Sequence, residues 1–356
     1  MCKEIEVHGG KVGLMAQRKR IKIENRSYIE YMLMLLAPAI VSWYYYGANA
    51  LRLLLIGIIS SMLFELIAVI VMKRDKQSIF DFSAAFTGAA IAMMLPATAS
   101  TGLLVAGVAF AILVVKIPFG SVLKVPFVPA AAGMAFLSVC FPQEVFTFPA
   151  VGVTTQTIET GTSLAAMLQA GGAQHLNMLR VLSIVSGNVS GPMGTCCAAA
   201  LIGCCAFFLL LKPKKLCNVI GFLAACAVLA LLFPRGSFGR FTSLFMELCA
   251  GTLLFSGIFF ATDPATSPKH PLLRFVYGAF AGTACMAVRY FGAFEDGSCF
   301  GILLANAFWP IVESLLRKIG FYKLIEDSGK KRRQKRKKNE TNEEAVLAEQ
   351  GGELNG

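Results

Sequence analysis

The chain has 356 residues, of which 56% are hydrophobic and only 15% charged, with a mean hydropathy of +0.65. A soluble domain carries about 25% charged residues, so neither a water-soluble enzyme nor a disordered chain fits this composition. The net charge of +12 does not indicate a nucleic-acid partner either, because residues 326–356 set eight Lys/Arg against seven Asp/Glu and the remaining excess sits in short loops between apolar runs.

In lipid every backbone amide must be satisfied within its own helix or within a closed barrel. The apolar runs are about 17–22 residues long, which suits helices crossing the hydrocarbon core and not the shorter strands of a barrel. An all-α polytopic membrane protein with ten transmembrane helices is expected. Residues 1–29 are polar and basic and read as a cytoplasmic N-terminal segment without a cleavable signal peptide. Five spans follow at 30–48, 51–72, 81–97, 101–117 and 126–142, a first five-helix repeat over 30–142. Residues 143–194 form a long polar loop. Five more spans lie at 195–212, 216–233, 244–262, 272–290 and 298–316, a second repeat over 195–318. The charged tail 319–356 closes the chain, and its Lys/Arg block from Lys330 to Lys338 suits an anionic lipid surface.

Charge sets the orientation. With the N-terminus in the cytoplasm, 28 basic residues fall inside and five outside: Arg52, Arg180, Arg235, Arg240 and Arg289. This asymmetry predicts that both termini are cytoplasmic and that 143–194 is external. The external segment has one Arg and no Lys but many Thr, Ser and Gly. A loop this long in a compact protein is usually functional.

The two halves resemble each other. Gly88…Leu95-Pro96 at the end of span three matches Gly257…Asp263-Pro264 at the end of span eight. Phe119-Gly120…Phe127 before span five likewise matches Phe291-Gly292…Phe300 before span ten. An odd number of spans per repeat inverts the second copy, and inverted repeats place a site near the midplane, lined by broken helices.

Ionisable groups in a bilayer are expensive and mark ion paths or ligand pockets. Asp81 opens span three, Asp263 closes span eight, and Glu65 lies deep in span two. For Asp81 and Asp263 the plain alternative is a helix-end residue at the interface. Pro126 and Pro129 break regular hydrogen bonding before span five, as Pro192 does before span six, so backbone there must be buried or line a cavity. The three histidines, His8, His175 and His270, all lie outside the spans, which argues against intramembrane haem. Cys196/Cys197 and Cys204/Cys205 are eight residues apart, which on one helix would put them on one face as packing residues.

Asp81-Phe-Ser-Ala…Thr87-Gly88…Leu95-Pro96, Pro126-Phe-Val-Pro129-Ala…Gly133, Phe260-Ala-Thr-Asp263-Pro264-Ala-Thr-Ser-Pro268 and Arg289-Tyr-Phe-Gly292…Glu295-Asp-Gly297 occur in this order. Together they resemble the RnfD family, membrane subunits of the Rnf complex, the ion-translocating ferredoxin:NAD oxidoreductase. That family is related to the corresponding membrane subunit of the sodium-translocating NADH:quinone reductase. The resemblance covers residues 25–320. It implies ten helices in two inverted five-helix repeats, and an FMN esterified through its phosphate to an external threonine by an FMN transferase. Aligning Leu164-Ala165 with the family's trailing Leu-Ala puts the acceptor at Thr162, and a one-residue shift makes it Ser163. Beside this, Asp81 and Asp263 are candidate residues of the flavin site and Glu65 of an ion path, on the cost of burying their charges, and a second, non-covalent flavin stays open. This chain departs from the family's usual residues at Val128, where Asn is common, and at Thr195, where Glu is common.

A hydroxyl on a polar loop is accessible to a modifying enzyme, and a tethered flavin carries the redox chemistry itself. Accordingly the chain shows no Ser-His-Asp, Walker or zinc pattern. It also has neither Fe–S cysteine spacing nor a Gly-rich nucleotide fingerprint, so those sites are expected on partner subunits. The expected function is a redox subunit of a complex in the bacterial cell membrane that exports Na+ or H+. The alternative is a small-solute channel or transporter, since an inverted repeat with broken helices also suits a pore. A related scaffold without flavin is the third reading.

Overall fold

The structure is a computed structural model, which describes residues 26–72, 82–119, 125–150, 160–170, 178–235 and 240–319. It is mostly helical. In the first half α1 covers 26–46, followed by α2 (Ala48–Val71), α3 (Phe82–Met94), α4 (Thr101–Ala109) and α5 (Pro129–Cys140). Between the halves come α6 (Pro142–Val145), a two-residue ladder of β1 (Phe148–Pro149) and β2 (Thr160–Gly161), α7 (Leu164–Gln169) and α8 (Met178–Ser186). The second half holds α9 (Ala198–Leu211), α10 (Pro213–Leu232), α11 (Arg240–Cys249), α12 (Leu253–Phe255), α13 (Pro271–Phe291) and α14 (Ser298–Lys318). Among the described residues, α2, the continuous segment Thr101–Phe119, α10, α13 and α14 are long and apolar enough to cross a bilayer. The chain is thus a multi-pass membrane protein.

Helical segments stand at the positions of all the expected spans, but several are not simple rods. α3, α5 and α9 are shorter apolar helices. α3 stops because Pro96 cannot continue it. The carbonyls of Met93 and Leu95 then accept from the N–H groups of Gly194 (2.7 Å) and Met193 (3.1 Å). α5 starts with Pro129 in its first turn, where a missing N–H costs nothing. α4 begins under the side chain of Ser100, which accepts from Leu103 N–H, and runs on through a π-helical stretch, Phe110–Lys116.

The expected single span 244–262 is in fact two helices, α11 and Leu253–Phe260, bent by 67°. Gly251 makes the turn at φ 60°. Polar groups from elsewhere satisfy the broken ends. Arg289 donates to the carbonyls of Glu247 (2.9 Å) and Ala250 (2.8 Å), and Thr252 N–H donates to the Asp296 carboxylate. Backbone freed inside a membrane protein persists only where such partners exist.

The segment between the halves also differs from a plain loop. Leu164, Ala165 and Leu168 of α7 pack with Ile184, Met246 and Ala250 in a small apolar cluster apart from the main core. That burial is what lets so short a helix form. In the main core α2 and α3 approach closely, with a Cβ on Gly57 reaching to 2.6 Å of the Gly88 carbonyl oxygen. Small residues let membrane helices pack without a solvent-driven force. Within the described residues, 308–319 belong to a separate unit, in which Arg317 pairs with Glu313 at 2.9 Å across one turn of α14.

Candidate functional site

The larger cavity lies where the end of α3, α5, α7, the segment before α9, the α11–α12 break and the loop after α13 meet. The space it offers, counted together with its open mouth, is about 670 Å³. Met94, Met134, Phe146 and Phe148 give it apolar walls, and Ser163, Thr195, Thr252, Glu295 and Asp296 give it polar points.

Ser163 lines this cavity, and the chain leading to it from 160 is fastened on both sides. Upstream, Thr160 and Gly161 pair with Pro149 and Phe148. Gly161 also presses against Ser190, whose Oγ would collide with any Cβ there. Downstream, Ser163 is buried and caps α7, accepting from Ala166 N–H at 3.0 Å. Its hydroxyl donates to Glu295 Oε2 at 2.8 Å. Thr162, between these anchors, is exposed. Of the two candidate acceptors, one hydroxyl is therefore committed inside the protein and the other faces out. Burial pushes the Glu295 carboxyl above its ordinary value of 4.5, and the hydrogen bond from Ser163 partly offsets the shift.

The smaller cavity, about 310 Å³, is lined by Tyr28, Ser83, Thr87, Lys116, Val128 and Asp263 among others. Asp263 is buried and accepts from Tyr28 OH at 3.0 Å and from Ala265 N–H at 3.1 Å. Neighbouring Thr262 offers its carbonyl to Tyr31 OH at 2.5 Å, and Lys215 Nζ donates to that phenol oxygen at 3.0 Å. Glu65 is buried and pairs with Lys116 at 2.7 and 2.9 Å. The structure thus brings Asp263 and Lys116 to one cavity and ties Glu65 to it through Lys116. Asp81 lies outside the described residues, as do Glu159, His175 and the basic tail.

Sequence reasoning passed over Lys116, counted as a loop cation, and over Tyr28, Tyr31 and Lys215. An intramembrane carboxylate such as Glu65 calls for a cation, and Lys116 at the end of an apolar run was the visible signal. The cysteine pairs do not share a helix face, because α9 starts at Ala198 and leaves Cys196 and Cys197 in the preceding turn. Cys196 lines the larger cavity, while Cys204 is buried against the Met34 carbonyl at 3.4 Å.

A family model described as NQR2, RnfD, RnfE matches residues 17–321. The chain belongs to this family. It is 30% identical over 299 residues to the D-type subunit of the Na(+)-translocating ferredoxin:NAD(+) oxidoreductase complex of Acetobacterium woodii, covering 83% of this chain and 90% of the relative. The D-type subunits of the ion-translocating oxidoreductase complexes of Tolumonas auensis and Cronobacter sakazakii are 27% and 28% identical, over 81% and 78% of this chain and 92% and 89% of theirs. The resemblance read from the motifs is the one these comparisons return. Both departures from the family's usual residues fall on cavity walls, Thr195 in the larger and Val128 in the smaller.

Proposed function

We propose that the chain is the membrane subunit of an ion-translocating ferredoxin:NAD oxidoreductase complex and carries FMN on Thr162. It passes electrons between partner subunits while the complex exports Na+ or H+. The observation that carries this reading is that Thr162 is exposed on a chain segment fastened on both sides, next to Ser163, which lines the larger cavity. Membership of the family supports it. The walls suit a flavin, with apolar surface for a ring system and separate hydroxyl and carboxylate groups for its polar edge. A flavin supplies both one- and two-electron transfer at a single reversible carrier. The chain's own residues tether it and set the local charge through Glu295 and Asp296. Asp263, with Lys116 and Glu65, belongs to the smaller cavity, which we assign to the ion path or to a second, non-covalent flavin.

The helices form two inverted five-helix repeats in this reading, with both termini cytoplasmic and 143–194 outside. Their junctions support it. The end of α3 is bound by the segment before α9, and the end of the Leu253–Phe260 segment by the start of α1. These are the same pairings exchanged between repeats. Partners are the other complex subunits, an FMN transferase and membrane lipid.

The test is intact-mass analysis after coexpression with an FMN transferase. The wild type should gain the mass of one FMN, Thr162→Ala should gain none, and Ser163→Ala should still gain some. Loss of flavin in Ser163→Ala with retention in Thr162→Ala would move the acceptor by one residue. No mass gain in the wild type would remove the covalent carrier and favour the channel reading.

A further inference from the structure

We propose that Ser163 and Glu295 form a latch between the segment joining the two halves and the second half of the chain, that this latch presents Thr162 for modification, and that Glu295 is therefore a positioning residue for flavin attachment. This rests on Thr162 being the acceptor.

Thr162 sits one residue after the β1–β2 ladder and one residue before the cap of α7. The ladder fixes the chain at Gly161, and the wall formed by Ser190 prevents it from shifting inward. On the other side a single side chain, Ser163, makes both fixing contacts. It accepts from Ala166 N–H at 3.0 Å, which starts the helix, and donates to Glu295 Oε2 at 2.8 Å. Glu295 is 132 positions away, in the loop between α13 and α14. With successive backbone positions held, the Thr162 side chain has one direction left, outward. The next residue, Asp296, fastens its own loop by accepting from Ser298 N–H at 3.1 Å and Ser298 Oγ at 2.6 Å and from Thr252 N–H. The carboxylate that Ser163 binds is therefore mounted on a fixed platform.

Attachment forms a bond from Thr162 Oγ to phosphorus. It breaks a phosphoanhydride bond of a flavin-bearing diphosphate donor, whose nucleotide part leaves as a monophosphate, and the threonine proton passes to a base of the transferase. In-line displacement at phosphorus demands a held nucleophile, since reacting atoms must sit about 3–3.5 Å apart and aligned. A loop free to swing would spend little time in that geometry. Because the latch joins the segment between the halves to the loop between α13 and α14, it closes only after the second half has folded. Flavin attachment is then a late event that follows folding of the second half.

The experiment measures FMN incorporated per folded molecule against time, with purified full-length protein, transferase and donor, for wild type, Ser163→Ala, Glu295→Ala, Glu295→Gln and the Ser163→Ala/Glu295→Ala double variant. Removing a hydrogen bond to a charged group should slow labelling by about tenfold in either alanine variant. Glu295→Gln keeps an oxygen that accepts from Ser163 and should label within about threefold of wild type, the weaker neutral acceptor being the cause. The double variant should be no slower than the slower single variant, as expected for one shared contact. Thermal unfolding on the same samples separates loss of fold from loss of presentation, because labelling is counted per folded molecule. Labelling of Glu295→Ala at the wild-type rate overturns the latch and leaves the acceptor reading intact. Multiplying effects in the double variant also overturn it. Absence of labelling in the wild type overturns the acceptor reading itself.

Discussion

At the end of α3 the freed carbonyls of Met93 and Leu95 are met by backbone N–H groups of Gly194 and Met193, with Ser42 Oγ donating to the Met193 carbonyl at 2.6 Å. At the end of the Leu253–Phe260 segment the same task falls to side chains. Tyr31 serves the Thr262 carbonyl, Tyr28 serves Asp263, and the buried ammonium of Lys215 sits on Tyr31, both as a donor to its oxygen and 4.2 Å over its ring. Two helix ends at matching places in the sequence are thus closed by different chemistry. The first junction is neutral and leaves room beside it for the larger cavity. The second is charged, crowded by the rings of Tyr28, Tyr31, Phe86 and Phe259, and stands beside the smaller cavity. Where a helix breaks and what heals the break are separate properties, and the healing residues decide what each end can do.

The charged end should be far more sensitive to loss of one group. Glu65→Ala leaves the buried Lys116 ammonium without its carboxylate partner, and breaking a buried pair on one side costs about 3–5 kcal/mol. Thermal unfolding in detergent should register this as a large loss of stability, and Glu65→Met/Lys116→Met should recover much of it. Failure of the double variant to recover would mean that the pair is held by more than its own charges. Tyr31→Phe comes next, since it removes the oxygen that Lys215 and Thr262 share. A buried charge-assisted hydrogen bond is worth about 1.5–3 kcal/mol. Ser42→Ala at the neutral junction should cost only about 1 kcal/mol, because the backbone bonds of Met193 and Gly194 remain. If Ser42→Ala proved as damaging as Tyr31→Phe, the contrast between the two junctions would collapse.

The same contrast explains what could be read without coordinates. Helix positions were legible because hydrophobic run length is a strong signal, and the internal match of Leu95-Pro96 with Asp263-Pro264 located both junctions. The division of span eight was not legible. Gly251 alone does not break a helix, and the partners that make the break tolerable, Arg289 and Asp296, come from about 40 residues further on. For the site, the stretch Thr160-Gly-Thr162-Ser163 was visible as a motif, but two adjacent hydroxyls in sequence look alike. Only the long-range contact of Ser163 with Glu295 separates the buried one from the exposed one. Val128 and Thr195 could be marked as unusual for the family, though only folding shows that each faces a cavity.

The smallest expected effect is the pH dependence tied to Glu295. Its carboxyl is held above the ordinary value of 4.5, first by burial, with Ser163 pulling the other way and neighbouring Asp296 adding to the rise. A group raised in the folded state binds more protons folded than unfolded in the interval between its two pKa values. Unfolding stability then falls as pH rises through that interval and is level above it. Wild type should therefore lose stability relative to Glu295→Gln as pH rises from 4.5 through the raised value, since glutamine does not titrate. Parallel melting curves of the two proteins at a series of acidic pH values read the difference directly, with the other carboxylates cancelling between them. If wild type instead gained on the variant with rising pH, the hydrogen bond from Ser163 would outweigh burial. The larger cavity would then favour the charged form of Glu295.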